Sequence, residues 1–254
     1  MLWDPAVYGE FAAERGRAFD DLTARIGATQ PRHVVDLGCG PGDLTASLAS
    51  RWPRAEVEGI DSSPEMISSA PSGDRLSFRI GDVQSWTPPA DVDVIVSNAT
   101  LQWVPTHRDL LGEWAAALPS GGWLAFQVPG NFGSFSHTLL QSLAQSRRWA
   151  SALTGILPAD DVVGTPSEYA GLLGAAGLVP DVWETTYVHV LSGPDPVLRW
   201  MRGTALRPVM AALRPEVYGL FEQEFAAELR MAYPSTERGT LFPFRRIFAV
   251  GYRP

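Results

Sequence analysis

The sequence predicts an α/β fold: an open, mostly parallel sheet with helices on its faces. Three observations carry that prediction. Short runs of β-branched and aliphatic residues alternate with amphipathic stretches from Val34 to Val128, the pattern of parallel strands joined by crossover helices. The first of these runs ends in a glycine triplet, Asp36-Leu37-Gly38-Cys39-Gly40-Pro41-Gly42. Four segments able to meet a ligand, Gly38 to Gly42, Asp61, Asp82 and Asn98, all fall at strand carboxyl ends, where open parallel sheets bind ligands.

Each element follows in order. Residues Pro5 to Gly27 read as a helix, because Phe11, Ala18, Phe19, Leu22 and Ile26 recur at helical spacing, Asp4 can cap and Pro5 suits a first turn. Its aromatic start, Trp3, Tyr8 and Phe11, either folds over the mouth of a site or packs into the core. Val34 to Leu37 is a buried strand, and the helix after the glycines begins near Leu44 and ends at Trp52-Pro53. The glycines let bare backbone approach a ligand, and the helix start offers free N–H groups. A nucleotide-like cofactor is the natural occupant. The spacing is Gly-x-Gly-x-Gly and not the dinucleotide Gly-x-Gly-x-x-Gly, since Asp43 holds the third glycine's place.

Val57 to Asp61 forms a second strand ending in an acid, placed to accept both hydroxyls of a ribose or to cap the next helix. Ser62 and Ser63 before Pro64 also serve as caps. Leu76 to Ile80 alternates as a third strand, closed by Gly81-Asp82-Val83, where Asp82 suits an adenine amino group or a plain turn. Val92 to Asn98 is the fourth strand and Trp123 to Val128 the fifth, with a helix over Arg108 to Leu118 between them. In the second half, Phe135 to Trp149 and Ser167 to Ala176 read as helices, and Val182 to Leu191 as a strand. Helices around Pro196–Arg207 and Pro215–Tyr233 precede a last strand, Thr240 to Tyr252. Val217, Phe221, Phe225 and Leu229 make a core stripe on the longer helix. This insertion is long enough to cover the sheet's carboxyl edge as a lid.

Composition removes several classes of function. The net charge of −8 argues against a large nucleic-acid footprint, which needs a basic face. All the basic residues are arginine; without lysine there is no pyridoxal Schiff base and no Walker-type phosphate loop. Cys39 is the sole cysteine, so no internal disulfide and no multi-cysteine metal site forms; no metal is expected. The opening Met1-Leu2-Trp3-Asp4-Pro5 has neither a basic region nor an apolar core, and no apolar run approaches the roughly 18 residues of a membrane span. A cytoplasmic address is the expectation.

On Asp36-x-Gly38-x-Gly40-x-Gly42, Asp61, Gly81-Asp82-Val83 and the Asn98 strand end, residues 30 to 130 resemble the class I S-adenosylmethionine-dependent methyltransferases. The resemblance implies a Rossmann-like, seven-stranded methyltransferase sheet, mostly parallel with an antiparallel last strand at its edge, an N-terminal helix and a helical lid insertion. It implies S-adenosyl-L-methionine as cofactor and S-adenosyl-L-homocysteine as its product. Gly38, Cys39 and Gly40 would pass the methionine part, Asp61 with Ser62 the ribose, and Asp82 with Val83 the adenine. Asn98 would lie beside the sulfonium, with Trp103 walling the cleft. One domain over residues 1–254 is expected: 1–29 as a cap helix, 30–130 as the cofactor-binding core and 131–254 as the substrate-side half.

Further stretches resemble the branch of that family that esterifies trans-aconitate. They are Trp3-Asp4-Pro5 with Tyr8, Asn98-Ala99-x-Leu101-Gln102-Trp103, Val128-Pro129 with Asn131 and His137, Trp183-x-Thr185-Thr186-Tyr187-x-His189, Leu206-Arg207-Pro208 and Arg246-Ile247-Phe248. Gly130 and Arg245 depart from that pattern, standing where an acid and a proline are expected. The resemblance implies a carboxylate O-methyltransferase forming a monomethyl ester of a small polycarboxylate. The alternatives are a same-fold enzyme for another small or carrier-linked acid, and a non-catalytic cofactor-binding protein. A carboxylate is already ionised at neutral pH, with a reference pKa of about 4, so no general base is expected. Fixed cations must hold such an acid: Arg207 and Arg246 are the candidates, with Tyr8, Asn131, His137 and Tyr187 as further donors.

Overall fold

The computed structural model describes residues 12–158 and 162–254. The expected aromatic start of the first helix, including Tyr8, lies outside the described residues. The chain groups into two compact units. One runs through Pro129 and adds Val163–Thr185 and Arg246–Pro254; the other holds Gly130–Val162 and Thr186–Arg245.

The first unit carries the sheet. Strands β1 (His33–Leu37), β2 (Glu56–Asp61), β3 (Leu76–Ile80), β4 (Val94–Asn98) and β5 (Trp123–Pro129) are parallel, in the order β3-β2-β1-β4-β5. The sheet path continues through β8 (Gly239–Tyr252), antiparallel to β5, and ends on β6 (Val179–Leu191), while the two-residue β7 (Ser235–Thr236) pairs with β8. The expected seven-stranded sheet is therefore present, with one correction. The antiparallel last strand is not at the edge but one strand in. Burial explains the order: Ile247, Phe248, Ala249 and Val250 are an unbroken buried run, as an interior strand requires, whereas Val179, Pro180 and Asp181 of β6 are exposed.

Registered pairs run Val34↔Val57 and Val34↔Val94 around β1, which is central and almost wholly buried. Trp114 and Phe126 are fully buried. Trp86 meets Trp114 edge-on at 5.6 Å, and Phe126 meets Tyr169 edge-on at 4.9 Å. Full burial of each such ring contributes about 2–3 kcal/mol. The first described helix, Ala12–Thr23, buries Ala18, Phe19 and Leu22 as its spacing predicts. The helix Pro166–Ala175 is started by a capping box in which Thr165 and Glu168 satisfy each other's backbone N–H, and Gly177 beyond its end takes a left-handed φ of 82°.

In the second unit two expected helices are interrupted. The stretch Phe135 to Trp149 is helical only over Phe135–Ala144. Trp149 leaves the helical line to pack edge-on against Phe221 at 5.2 Å and to donate its indole N–H to Glu224 at 2.8 Å. Helices around Pro196 stop at Arg202 and resume as Arg207–Ala212, the second piece carrying Pro208 in its first turn, where a missing N–H costs nothing. The long helix Pro215–Ala232 buries Phe221, Phe225 and Leu229 and packs on Phe135–Ala144.

Candidate active site

The carboxyl ends of β1, β2 and β4 converge through backbone geometry. After β1, Gly38, Gly40 and Gly42 hold φ of 76°, 57° and 85°, a region that disfavours side chains. The three glycines serve different ends. A Cβ on Gly38 would lie 2.0 Å from Thr100 Oγ1, and one on Gly42 would lie 2.6 Å from the Phe78 ring, so both are required by packing. A Cβ on Gly40 would meet nothing within 4 Å. That glycine faces open space, which is where a ligand approaches bare backbone.

Asp61, at the end of β2, ties this turn down. Its Oδ2 accepts the Gly40 N–H at 2.9 Å and its Oδ1 accepts the Ser63 N–H at 2.9 Å. A carboxylate has about four lone-pair sites, so two remain for a ligand. Capping of the next helix falls to Ser63, whose Oγ accepts the Met66 N–H, while Ser62 is exposed beside it. Asp82 is exposed and accepts the Gln84 N–H on Oδ1 at 2.9 Å, capping a 3-10 turn over Val83–Ser85, and Val83 is buried beneath it. At the end of β4, Ala99 adopts a left-handed φ of 54° and its carbonyl accepts the Gln102 amide N–H. Such a conformation costs a non-glycine residue on the order of 1–2 kcal/mol, and backbone strain of that kind gathers at functional sites. Next to it, Asn98 Oδ1 is buried with no hydrogen-bond partner, an acceptor that calls for a donor or a positive ligand. Thr100 Oγ1 stands 3.3 Å from the Gly38 and Asn98 carbonyls and so links the β1 and β4 ends.

Electrostatics single out two groups nearby. Burial pushes the Asp36 carboxyl up to about 7, with the Thr45 hydroxyl donating to it at 2.6 Å as a partial offset. Burial also raises the Cys39 thiol, which keeps it protonated and unreactive. Trp103 is 36% exposed on a 3-10 turn after β4. Among the described residues, no cluster of three His, Cys, Asp or Glu is placed to hold a metal, and no described helix is long and apolar enough to cross a membrane.

The candidates on the acid side divide between the units. Arg246 belongs to the sheet unit, is 2% exposed and donates from Nη1 to Gln127 Oε1 at 2.8 Å. Asn131, His137, Tyr187 and Arg207 belong to the second unit. Asn131 is buried; its Oδ1 accepts the Arg245 N–H at 2.8 Å, and its Nδ2 has no partner. The two departures from the family pattern turn out to be neighbours: the Gly130 N–H donates to the Arg245 carbonyl at 2.9 Å, and Arg245 Nη1 donates back to the Gly130 carbonyl at 3.3 Å. A proline at 245 would lack the N–H that Asn131 now holds. His137 Nδ1 lies 3.1 Å from Ser134 Oγ and 3.2 Å from Ser136 Oγ, and burial lowers its pKa to about 4. Tyr187 is buried, parallel to His189, which stacks on Trp200 at 5.0 Å. Arg207 is half-buried at the start of its helix.

Three site features were not read from the sequence: the strained Ala99, the Thr100 bridge and Gln127. A signal existed for the last, since a lone Gln interrupts the apolar strand Trp123-Leu124-Ala125-Phe126-Gln127-Val128, and a buried amide needs partners.

Comparison with known proteins is consistent with this geometry. A family model described as a methyltransferase domain matches residues 11–180. The chain is 54% identical over 251 residues to a trans-aconitate 2-methyltransferase of Rhodococcus jostii (strain RHA1), covering 98% of both chains. It is 50% identical over 260 residues to the Streptomyces avermitilis protein of the same name, covering 99% of this chain and 97% of the other. Among solved structures, the YcgJ protein of Bacillus subtilis superposes with a TM-score of 0.59 at 16% identity, over 94% of this chain and 99% of that one. Phosphoethanolamine N-methyltransferase 2 of Haemonchus contortus, in complex with S-adenosyl-L-methionine, superposes at 0.56 and 16% identity; this chain covers 94% of itself but only 53% of that protein. At such identities the solved structures speak for the fold alone. The two sequence relatives carry further, and by them the chain belongs to the trans-aconitate 2-methyltransferase family of S-adenosylmethionine-dependent methyltransferases.

Proposed function

We propose that the chain esterifies one carboxylate of trans-aconitate, with S-adenosyl-L-methionine as methyl donor and S-adenosyl-L-homocysteine as product. The observation that carries the reading is the 54% identity to a trans-aconitate 2-methyltransferase over 98% of both chains. The strand-end geometry supports it, because an open glycine, a half-used carboxylate and an unpartnered carbonyl acceptor suit an adenosyl sulfonium. In this reading residues 1–254 act as one methyltransferase domain.

Bound at these strand ends, the cofactor's sulfonium supplies an electrophilic methyl group. Gly38, Cys39 and Gly40 leave the methionine part room along bare backbone. Asp61, fixed by the Gly40 and Ser63 N–H groups, turns its spare lone pairs to the ribose hydroxyls, with Ser62 beside it. Asp82 keeps Oδ2 for the adenine amino group, and Val83 supports the ring. Asn98 Oδ1 places partial negative charge near the sulfonium, and Trp103 walls the cleft. On the acid's side the work is positioning: Arg246 and Arg207 supply fixed positive charge, and Asn131, His137, Tyr187 and Tyr8 supply donors. His137, with a pKa of about 4, is neutral at pH 7 and acts as a hydrogen-bonding group and not a cation. The acceptor carboxylate is ionised without help, so orientation and partial desolvation account for the rate, worth several powers of ten.

A panel of free acids tests the substrate. Steady-state kcat/KM for trans-aconitate at least about tenfold above that for monocarboxylic and dicarboxylic acids supports the proposal. A flat panel, or a preference for a single-carboxylate acid, overturns it.

A further inference from the structure

Gln127 lies on β5 and is fully buried. Its Cα partners are Asn98 on β4 and Phe248 on β8, so Arg246, two residues from Phe248, is its diagonal neighbour, within reach of a long side chain. Partnered and alternate positions share a face of the sheet. Asn98, Gln127 and Arg246 therefore form a polar row across β4, β5 and β8 at the carboxyl end of the parallel strands. Gln127 Oε1 accepts the Arg246 Nη1–H at 2.8 Å, and its Nε2 has no partner.

The acceptor's neutrality is the informative feature. Arg25, Arg32, Arg75, Arg79, Arg148, Arg202 and Arg230 each meet an Asp or Glu carboxylate. At 127 a glutamate of the same shape would neutralise Arg246, whereas the amide orients the guanidinium and leaves its charge intact. Burying a polar amide with one orphaned donor costs stability, so packing alone does not select it in the middle of an apolar strand.

We infer that Gln127 is a positioning residue: it fixes the Arg246 guanidinium through a neutral acceptor, so that this part of the sheet offers a full positive charge to the carboxylates of the acceptor acid. The inference rests on the proposed carboxylate chemistry and adds a residue that decides the anionic class of the substrate.

The test compares Gln127→Glu and Gln127→Met with the wild-type full chain, reading KM and kcat for the acid, S-adenosyl-L-homocysteine affinity and the thermal midpoint. The glutamate is expected to raise KM for trans-aconitate about tenfold or more, the scale of one charge-assisted hydrogen bond, with cofactor-product affinity kept within about threefold and no fall in midpoint. The methionine is expected to raise KM by a smaller factor. A KM within twofold of wild type in the glutamate variant, or equal losses of acid and cofactor-product affinity, would overturn the inference while wild-type turnover of trans-aconitate leaves the substrate reading standing. If the glutamate variant does not fold, the methionine variant decides by the same two criteria. If the wild type methylates a different polycarboxylate, the substrate reading fails and the comparison on that acid still decides the role of Gln127. Wild-type protein that methylates no acid overturns both.

Discussion

The glycine turn after β1 and the Gln127–Arg246 pair lie in the same sheet unit, yet they are built by opposite means. The turn is backbone architecture: three left-handed glycines, one of them open to space, held by a carboxylate that accepts two N–H groups. The pair is side-chain architecture, a buried cation oriented by an amide 119 positions away in sequence. The contrast teaches where specificity can change. A backbone cradle suits one cofactor and tolerates little variation. A side-chain pair can be retuned by a single atom, as Gln against Glu at 127 illustrates.

The largest expected effect separates the glycines themselves. Gly38→Ala drives a Cβ into Thr100 in a left-handed backbone and should cost well over about 2 kcal/mol of stability. Gly40→Ala, with open space around it, should cost only about 1 kcal/mol while weakening S-adenosyl-L-homocysteine binding at least about tenfold. Urea denaturation and calorimetry read both. Equal stability losses at the two positions, or undiminished binding in Gly40→Ala, would break the distinction between a packing glycine and a ligand-facing one.

A second pair of substitutions separates cofactor from acid. Asp61→Ala should weaken S-adenosyl-L-homocysteine binding about tenfold to a hundredfold by calorimetry, because it removes the ribose acceptor and frees the Gly40 turn. Arg207→Met should raise KM for the acid several-fold and leave that binding intact. A loss of cofactor-product affinity in Arg207→Met would place the arginine in the wrong half of this account.

The smallest effects concern pH, and the two units respond in opposite directions. Asp36 titrates near 7 in the folded chain, above its unfolded value of about 3.9. The folded state therefore binds the extra proton between these values, and Asp36 adds stability as pH falls through 7. His137 titrates near 4, below its unfolded value of about 6.5. There the unfolded chain binds the extra proton, so stability present above pH 6.5 is lost as pH falls toward 4. Relative to wild type, Asp36→Asn should lose stability on acidification and His137→Gln should gain it, read from urea midpoints between pH 7.5 and 4.5. Parallel curves for either variant would remove that group from the pH response.

What the sequence made legible follows the same division. Strand order through β5, the glycine turn, Asp61 and the β4 end are local patterns, and each was readable from a few consecutive residues. The position of β8 inside the sheet depends on which of two distant strands is buried on both faces, and the bonding of Gln127 with Arg246 depends on that position in turn. The break before Trp149 arises from its tertiary contact with Phe221, which helical periodicity does not register. The residue pair Gly130 and Arg245 looked like two separate departures in sequence and is one contact in space.

The most direct measurement is a single incubation of the wild-type chain with S-adenosyl-L-methionine and trans-aconitate, with mass detection of both products. The account predicts a monomethyl ester of the acid and S-adenosyl-L-homocysteine in equal amounts. Tight binding of the cofactor with no ester formed on trans-aconitate would contradict it.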